Sequence, residues 1–194
     1  GADSSSNRAV TVLSVLGSQP VHHLSGRVID MPGAGQKILQ LRSGLIGRAN
    51  NDEQILSAFL AGDAFSKSYI GYCHAVAHSL GGRYNIPHGL ANAVILPYVL
   101  TAYGESIYKK TKQIAIYMHL ADQNTPEKAA HERLIQWIFD TNRLLGIPDK
   151  LSGIWEEDIP TLAKHADKEA NPLYPVPVLM NAKELEQFYY AIMK

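Results

Sequence analysis

Three of the eight histidines, His74, His78 and His88, lie within one fifteen-residue stretch of this 194-residue sequence. His74 and His78 are four residues apart, so on a helix they would share one face. We expect the pair Gly81–Gly82 to end that helix and Pro87 to place His88 on a rigid return. Three converging imidazoles suit a divalent transition metal. The alternative interpretation is a set of hydrogen-bonded core histidines.

The residues around these histidines are small and apolar. Ala75–Ala77 separate the first two histidines, and Leu80 follows them. Such surroundings disfavour a protonated imidazole and keep its nitrogen lone pairs available to a metal. The glutamate of the HExxH metallopeptidase motif is absent between the pair, so no general base is built into it. The spacing alone is weak evidence, but the Gly-Gly and Pro-His-Gly that follow make the pattern more specific.

From residue 51 onward the chain has the pattern of successive helices. The first begins near Asn51 or Asp52, and it either continues into the histidine stretch or bends at Gly71. A second begins after Pro87, and Pro97 is expected to kink it or to end its regular hydrogen bonding. A third helix is predicted from Ser106 to about Leu120, and a fourth begins after an N-cap at Thr125, with Pro126 in its first position. A shorter helix is predicted around Pro160–Ala170. The last begins at Asn181, with Glu184 three residues later as in a capping box. No comparable strand pattern follows residue 50, so we predict an all-α helical bundle.

Residues outside the histidine stretch give weaker indications of function. We interpret His119, His131 and His165 as surface or boundary residues of amphipathic helices. Asp63 fits equally well as a buried, hydrogen-bonded carboxylate and as a residue of a polar face. The proline-rich connector Asn171–Pro177 is interpreted as a loop across the bundle rather than as a polyproline ligand motif. The apolar residues expected to be buried there are Leu173, Val176 and Val178.

Composition changes abruptly near residue 50. Residues 1–50 contain no Glu, Phe, Trp, Tyr or Cys, yet they hold seven of the fifteen glycines. Their short β-branched runs specify neither a helix nor a strand well. We therefore predict a weakly ordered or peripherally packed N-terminal segment over residues 1–50 and an all-helical domain over residues 51–194.

The charge balance and cysteine content exclude several classes of protein. There are 18 basic and 18 acidic residues and no block of like charge, so a nucleic-acid or anionic-membrane surface is not expected. The single cysteine, Cys73, excludes an internal disulfide and favours a reducing compartment. No apolar stretch approaches the length of a membrane helix. We predict a soluble cytoplasmic protein.

The histidine stretch resembles the signature of the iron-containing (group III) alcohol dehydrogenases. The matching strings are His74-Ala-Val-Ala-His-Ser-Leu-Gly-Gly82 and Pro87-His-Gly-Leu-Ala-Asn-Ala-Val-Ile-Leu-Pro97. The resemblance extends over roughly residues 52–194 and includes the connector Asn171–Pro177. It implies the C-terminal, all-α domain of the dehydroquinate synthase-like fold, in which one Asp and three His hold Fe²⁺ or Zn²⁺.

The resemblance also implies roles for individual residues. His74 and His88 match the second pair of metal ligands, whereas His78 matches a histidine that lines the cleft between metal, substrate and nicotinamide. The metal would act as a Lewis acid on the oxygen of a small alcohol or aldehyde. Hydride would pass between the substrate carbon and NAD(P), a reaction that belongs to the cofactor.

Two features of the family are missing from the sequence. No glycine-rich phosphate-binding loop of the cofactor domain occurs, and neither Asp3 nor Asp30 has a histidine four residues later to form the first ligand pair. We therefore expect the metal-binding domain of an NAD(P)-dependent alcohol dehydrogenase, a fragment inactive alone, with unrelated sequence in residues 1–50. The alternatives are a non-catalytic helical module that acts by association, for example as a homo-oligomer, and a metallohydrolase with a three-histidine site.

Overall fold

A computed structural model describes residues 69–194 of the chain, together with Phe59, Gly62, Asp63 and Ser66. These four residues are helical, and the predicted start of their helix near residue 51 lies outside the described residues, as does the whole predicted N-terminal segment. Six α-helices follow: α1 Tyr72–Tyr84, α2 His88–Tyr103, α3 Tyr108–Tyr117, α4 Glu127–Leu144, α5 Ile159–Ala170 and α6 Ala182–Ile192. Short 3₁₀ helices at Gly104–Ile107 and Glu156–Asp158 precede α3 and α5.

Helix α1 does not stop at its two glycines, so that prediction is wrong. It continues through Gly81–Gly82 to Tyr84 and ends at Asn85, whose φ of 55° lies in the left-handed region. The Asn85 N–H donates to Gly81 O at 2.9 Å, and asparagine tolerates this conformation better than most residues. Glycine weakens a helix by only about 1 kcal/mol, and the packing of α1 against α2 and α5 outweighs that cost.

Helix α2 also continues through its proline. Pro97 lies inside the helix and has no N–H to donate to the carbonyl of Ala93, one turn earlier. The side-chain amide of Asn142, on α4, donates to this Ala93 oxygen at 2.7 Å and replaces the missing hydrogen bond. Pro97 therefore interrupts the hydrogen-bond ladder, as expected, but it does not end the helix.

The predicted third helix is divided, because the 3₁₀ helix Gly104–Ile107 precedes α3. Thr125 is not the N-cap of α4, since Pro126 occupies that position. The Thr125 hydroxyl instead accepts from Asp122 N at 3.1 Å and donates to the Asp122 carboxylate at 2.9 Å, closing the turn before the helix. Helices α3 and α4 pack against each other.

Helix α5 begins at Ile159, one residue before the predicted position, and α6 begins after Asn181. The capping box of α6 is confirmed, since Asn181 Oδ1 accepts from Glu184 N and the Glu184 carboxylate accepts from Asn181 N. Helix α5 packs against α1 and α6. In residues 69–194 the β-structure consists of one isolated parallel bridge, between Leu151 and Met193. The all-α prediction is confirmed.

The connector between α5 and α6 packs against the helices, but one of its apolar residues was placed wrongly. Val176 and Val178 pack against the core as predicted, whereas Leu173 is 73% exposed. Among the described residues, no helix is both long and apolar enough to cross a membrane.

Candidate functional site

The packing of α1 against α2 brings the three histidines of the sequence motif together. His74 and His78 project from successive turns of α1, and His88 is the first residue of α2. The ring centroid of His74 lies 6.0 Å from that of His78 and 5.2 Å from that of His88. The rings of His78 and His88 are 5.0 Å apart and nearly parallel, with an angle of 21° between their planes. The three imidazoles form one cluster, which we call the histidine cluster.

His74 is the buried member of the histidine cluster, with 8% of its surface exposed. Its Nδ1 atom is buried and has no hydrogen-bond partner among the described residues. Burial, followed by the proximity of His88 and His78, lowers its pKa from 6.5 to about 4. The imidazole is therefore neutral at physiological pH, and a neutral imidazole is the form that binds a metal.

His88 is exposed as a residue, but its ring lies against the two other imidazoles. Loss of hydration, and then the charge of His78, lower the pKa of His88, while the charge of Glu169 partly opposes this change. One turn along α2, the buried amide of Asn92 lies 3.0 Å from His88 Nε2 and donates to His88 O at 3.0 Å. Asn92 thus restricts the imidazole that begins the helix.

His78 is tied to a different part of the fold. Its Nδ1 lies 2.6 Å from Glu169 Oε1, and the His78 side chain is 42% exposed. The same carboxylate oxygen accepts a hydrogen bond from the Tyr174 hydroxyl at 2.7 Å. Sequence analysis did not identify Glu169 or Tyr174 as site residues. They come from the end of α5 and from the connector, so no local spacing relates them to the histidines.

The geometry divides the histidine cluster into a pair and a third residue. An imidazole nitrogen binds a metal along the plane of its ring, so the nearly parallel rings of His78 and His88 do not direct their lone pairs at a common point. The Nδ1 atom of His78 is bonded to Glu169, so only Nε2 of this ring is left for another contact. Across the described part of the chain, no group of three or more His, Cys, Asp or Glu side chains is arranged to hold a metal ion. The arrangement does not favour a three-histidine metal centre.

His74 and His88 are the predicted metal ligands, and the structure places their ring centroids 5.2 Å apart. Both are imidazoles with lowered pKa values, and the buried Nδ1 of His74 has no hydrogen-bond partner among the described residues. Buried polar atoms usually have a hydrogen-bond partner, so a buried nitrogen without one requires an explanation. Two neutral imidazoles are suitable donors for Fe²⁺ or Zn²⁺, but they supply half of a four-ligand shell.

One of the other histidines was predicted wrongly. His131 is only 4% exposed, because it faces α3, where its Nδ1 lies 3.0 Å from Thr111 Oγ1. His119 and His165 are exposed, as predicted, and Asp63 is exposed rather than buried. Cys73 is a free, buried thiol whose Sγ contacts Asn92 O at 3.4 Å.

The fold and the histidine cluster define an all-helical domain with a candidate transition-metal site. Its family follows from comparison with known proteins, because the sequence model described as "Fe-containing alcohol dehydrogenase family, C-terminal" matches residues 44–193. The chain belongs to this family. The resemblance inferred from the histidine motif is confirmed, as is the C-terminal, all-helical class of the domain.

Individual relatives agree with this family assignment. The lactaldehyde reductase of Escherichia coli (strain K12) is 37% identical over 117 residues, which are 59% of this chain and 31% of that protein. The 1,3-propanediol dehydrogenase of Citrobacter freundii is 35% identical over 156 residues, or 79% of this chain and 39% of the relative. The chain therefore spans less than half the length of both curated relatives.

Solved structures show the same fold. The crystal structure of a 1,3-propanediol oxidoreductase aligns with a TM-score of 0.78 and 28% sequence identity. The alignment covers 96% of this chain and 50% of that one. An alcohol dehydrogenase from Oenococcus oeni aligns with a TM-score of 0.73 at 23% identity and supports the fold alone.

Proposed function

We propose that this chain provides the metal-side half of an active site that interconverts a small alcohol and its aldehyde. The family and its relatives, named as a lactaldehyde reductase and a 1,3-propanediol dehydrogenase, support this class of reaction. The observation that carries the proposal is the neutral, buried His74 beside His88, whose Nδ1 has no hydrogen-bond partner in the described part of the chain. His74 and His88 are the proposed ligands of Fe²⁺ or Zn²⁺.

The metal, when bound, supplies Lewis acidity to the oxygen of the alcohol or aldehyde. The chain's own residues have two separate tasks. His74 and His88 present nitrogen donors, and burial, followed by the charges of neighbouring histidines, lowers both pKa values and so favours the neutral imidazoles. His78 is partly exposed beside them, so we assign it to the substrate cleft, where it can hold or release a proton.

We further propose that catalysis requires partners that these 194 residues do not supply. The sequence has neither a glycine-rich dinucleotide loop nor an Asp and a His four residues apart within residues 1–50. Binding of NAD(P) and completion of the metal shell would therefore depend on a dinucleotide-binding domain. The assignment of the N-terminal segment as unrelated sequence stays a prediction for residues 1–43, because the family model matches from residue 44. Self-association of the chain also stays a prediction. The single buried thiol supports a reducing compartment such as the cytoplasm.

The metal assignment is tested by titrating the purified chain with Zn²⁺ and measuring the dissociation constant by equilibrium dialysis. We expect weak binding by the wild type and at least a roughly tenfold weaker affinity for His74→Ala and for His88→Ala, since each removes one of two donors. His165→Ala is the matched control, because His165 is exposed and lies outside the histidine cluster. Equal affinity of all three variants, or absence of binding by the wild type, would contradict the assignment.

A second assay tests the need for a partner domain. The chain alone is expected to show no oxidation of 1,3-propanediol with NAD⁺ or NADP⁺, followed by absorbance of the reduced nicotinamide. Zn²⁺ or Fe²⁺ in excess should not change this result, because the cofactor would still lack a binding domain. Sustained turnover by the chain would refute this part of the proposal without affecting the assignment of His74 and His88.

A further inference from the structure

Glu169 joins three separate elements at the edge of the histidine cluster. It lies one residue before the end of α5, and its Oε1 is hydrogen-bonded both to His78 Nδ1 on α1 and to the Tyr174 hydroxyl in the connector. The two distances, 2.6 and 2.7 Å, are short, as is common when the acceptor is an ionised carboxylate. The Glu169 side chain is 33% exposed, so water does not fully surround it.

This arrangement restricts which nitrogen of His78 carries the proton. A carboxylate has no hydrogen to donate, so the contact requires Nδ1 of His78 to be the donor. In the neutral imidazole the second nitrogen, Nε2, then keeps its lone pair. The tautomer of a histidine is set in this way by the partner of its other nitrogen, at metal sites and in hydrolase triads alike.

Tyr174 donates a hydrogen bond to Glu169 and does not compete with it for the proton of His78. Burial, followed by the hydrogen bond to Glu169, raises the pKa of Tyr174, so its hydroxyl stays protonated and donates. The connector itself is fixed to α5, because Tyr174 N donates to Ala170 O at 2.7 Å. One oxygen of Glu169 is therefore held between two donors, one of which belongs to a rigidly attached turn.

We propose that Glu169 is a positioning residue, which holds His78 as the Nδ1–H tautomer and leaves Nε2 as the proton acceptor on the substrate side. The inference extends the proposed function, since it takes His78 as the cleft residue. It adds a residue that the sequence motif does not contain. The competing explanation is purely structural: Glu169 would only tie the connector to α1 and α5.

The tautomer can be measured directly in the full 194-residue chain. With ¹⁵N-labelled histidine, long-range ¹H–¹⁵N correlation spectra distinguish Nδ1–H from Nε2–H, and His78→Ala identifies the His78 signals. The spectra are recorded at about pH 8.5, which is about two units above the pKa of a model histidine peptide. We expect His78 to be predominantly the Nδ1–H form, whereas free histidine in water favours Nε2–H.

Three substitutions separate positioning from tethering. Glu169→Ala should convert His78 to predominantly Nε2–H, because no acceptor remains for Nδ1. Glu169→Gln should retain more of the Nδ1–H form than Glu169→Ala, since its amide oxygen can still accept. Tyr174→Phe removes the contact with the connector but leaves the carboxylate, so the tautomer should not change.

Each result decides between the two roles. A wild-type spectrum dominated by Nε2–H overturns the proposal without any variant, so a Glu169→Ala chain that fails to fold does not rescue it. An unchanged tautomer in folded Glu169→Ala also overturns it, and so does a switch caused by Tyr174→Phe alone. The Zn²⁺ titrations of His74→Ala and His88→Ala are independent of these spectra, so failure of the metal assignment and failure of the positioning role are recognised separately.

Discussion

The hydroxyl of Tyr72 offers a sharp test of how the connector is held against α1. Tyr72 is the first residue of α1, is 0% exposed and precedes His74 by two positions. Its oxygen accepts from the backbone N–H of Met180 at 2.8 Å, and its proton lies within reach of Asn171 Oδ1 at 2.9 Å and Met180 O at 3.1 Å. Tyr72→Phe removes all of these contacts and keeps the ring.

The expected cost follows from the groups left behind. Phenylalanine fills almost the same space, so loss of apolar burial contributes little. The buried Met180 N–H loses the partner that Tyr72 provides, and an unpaired buried donor costs about 1–3 kcal/mol. We therefore expect the free energy of unfolding to fall by about 2 kcal/mol. For a protein of this size that change lowers Tm by about 4–8 °C.

Thermal and urea unfolding followed by far-UV circular dichroism measure this change. The matched control is Tyr190→Phe on α6, because Tyr190 is 44% exposed and its substitution should alter stability by less than about 0.5 kcal/mol. The urea m value should be the same in both variants, since the surface exposed on unfolding does not change. A Tyr72→Phe chain as stable as Tyr190→Phe would refute the argument that this hydroxyl satisfies buried backbone.

Two further predictions concern helices α2 and α4. Asn142→Ala should lower the free energy of unfolding, measured with urea, by about 1–2 kcal/mol. The loss should be smaller in a Pro97→Ala background, because the restored N–H at position 97 can donate to Ala93 O. Equal losses in both backgrounds would contradict this prediction. Burial lowers the pKa of His131, so the unfolded chain takes up a proton at higher pH than the folded chain, and stability falls as the pH drops through the ordinary value of 6.5. The loss of stability between about pH 7.5 and about pH 5.5 should be smaller in His131→Gln, and an equal loss would count against the assignment.

The parts of the fold that the sequence could predict are those specified by local signals. The capping box at Asn181 and Glu184 needs only four consecutive residues, and it forms as predicted. The prediction that Gly81–Gly82 end α1 fails, because packing against other helices compensates for weak helix formers. Pro97 interrupts the hydrogen-bond ladder of α2 as predicted, but the helix continues beyond it. The amide of Asn142 that compensates for Pro97 comes from another helix. A single sequence gives no indication of such a partner.

The same distinction explains what was predicted at the site. The i, i+4 spacing and the return at Pro87 specify the convergence of His74, His78 and His88, and the structure brings their rings within 6.0 Å of one another. Burial of His131 was missed because amphipathic periodicity counts every histidine as polar, whereas this one faces α3 through a hydrogen bond to Thr111. The spacing of residues along the sequence does not reveal a hydrogen-bond partner that comes from a distant segment.

The contacts of the histidine cluster indicate that its three histidines have different roles, although the residues are of one type. His74 is buried, and its Nδ1 has no hydrogen-bond partner in the residues that the structure describes, which is a costly state for a residue with a purely structural role. His78, four residues away, has its Nδ1 satisfied by a carboxylate and keeps much of its surface exposed. One imidazole therefore remains available to a ligand from outside the described residues, while the other has a fixed orientation. Three histidines that bind one metal in the same way would not be expected to differ in burial and hydrogen bonding. A difference of this kind is expected if two of them are metal ligands and the third holds or releases a proton.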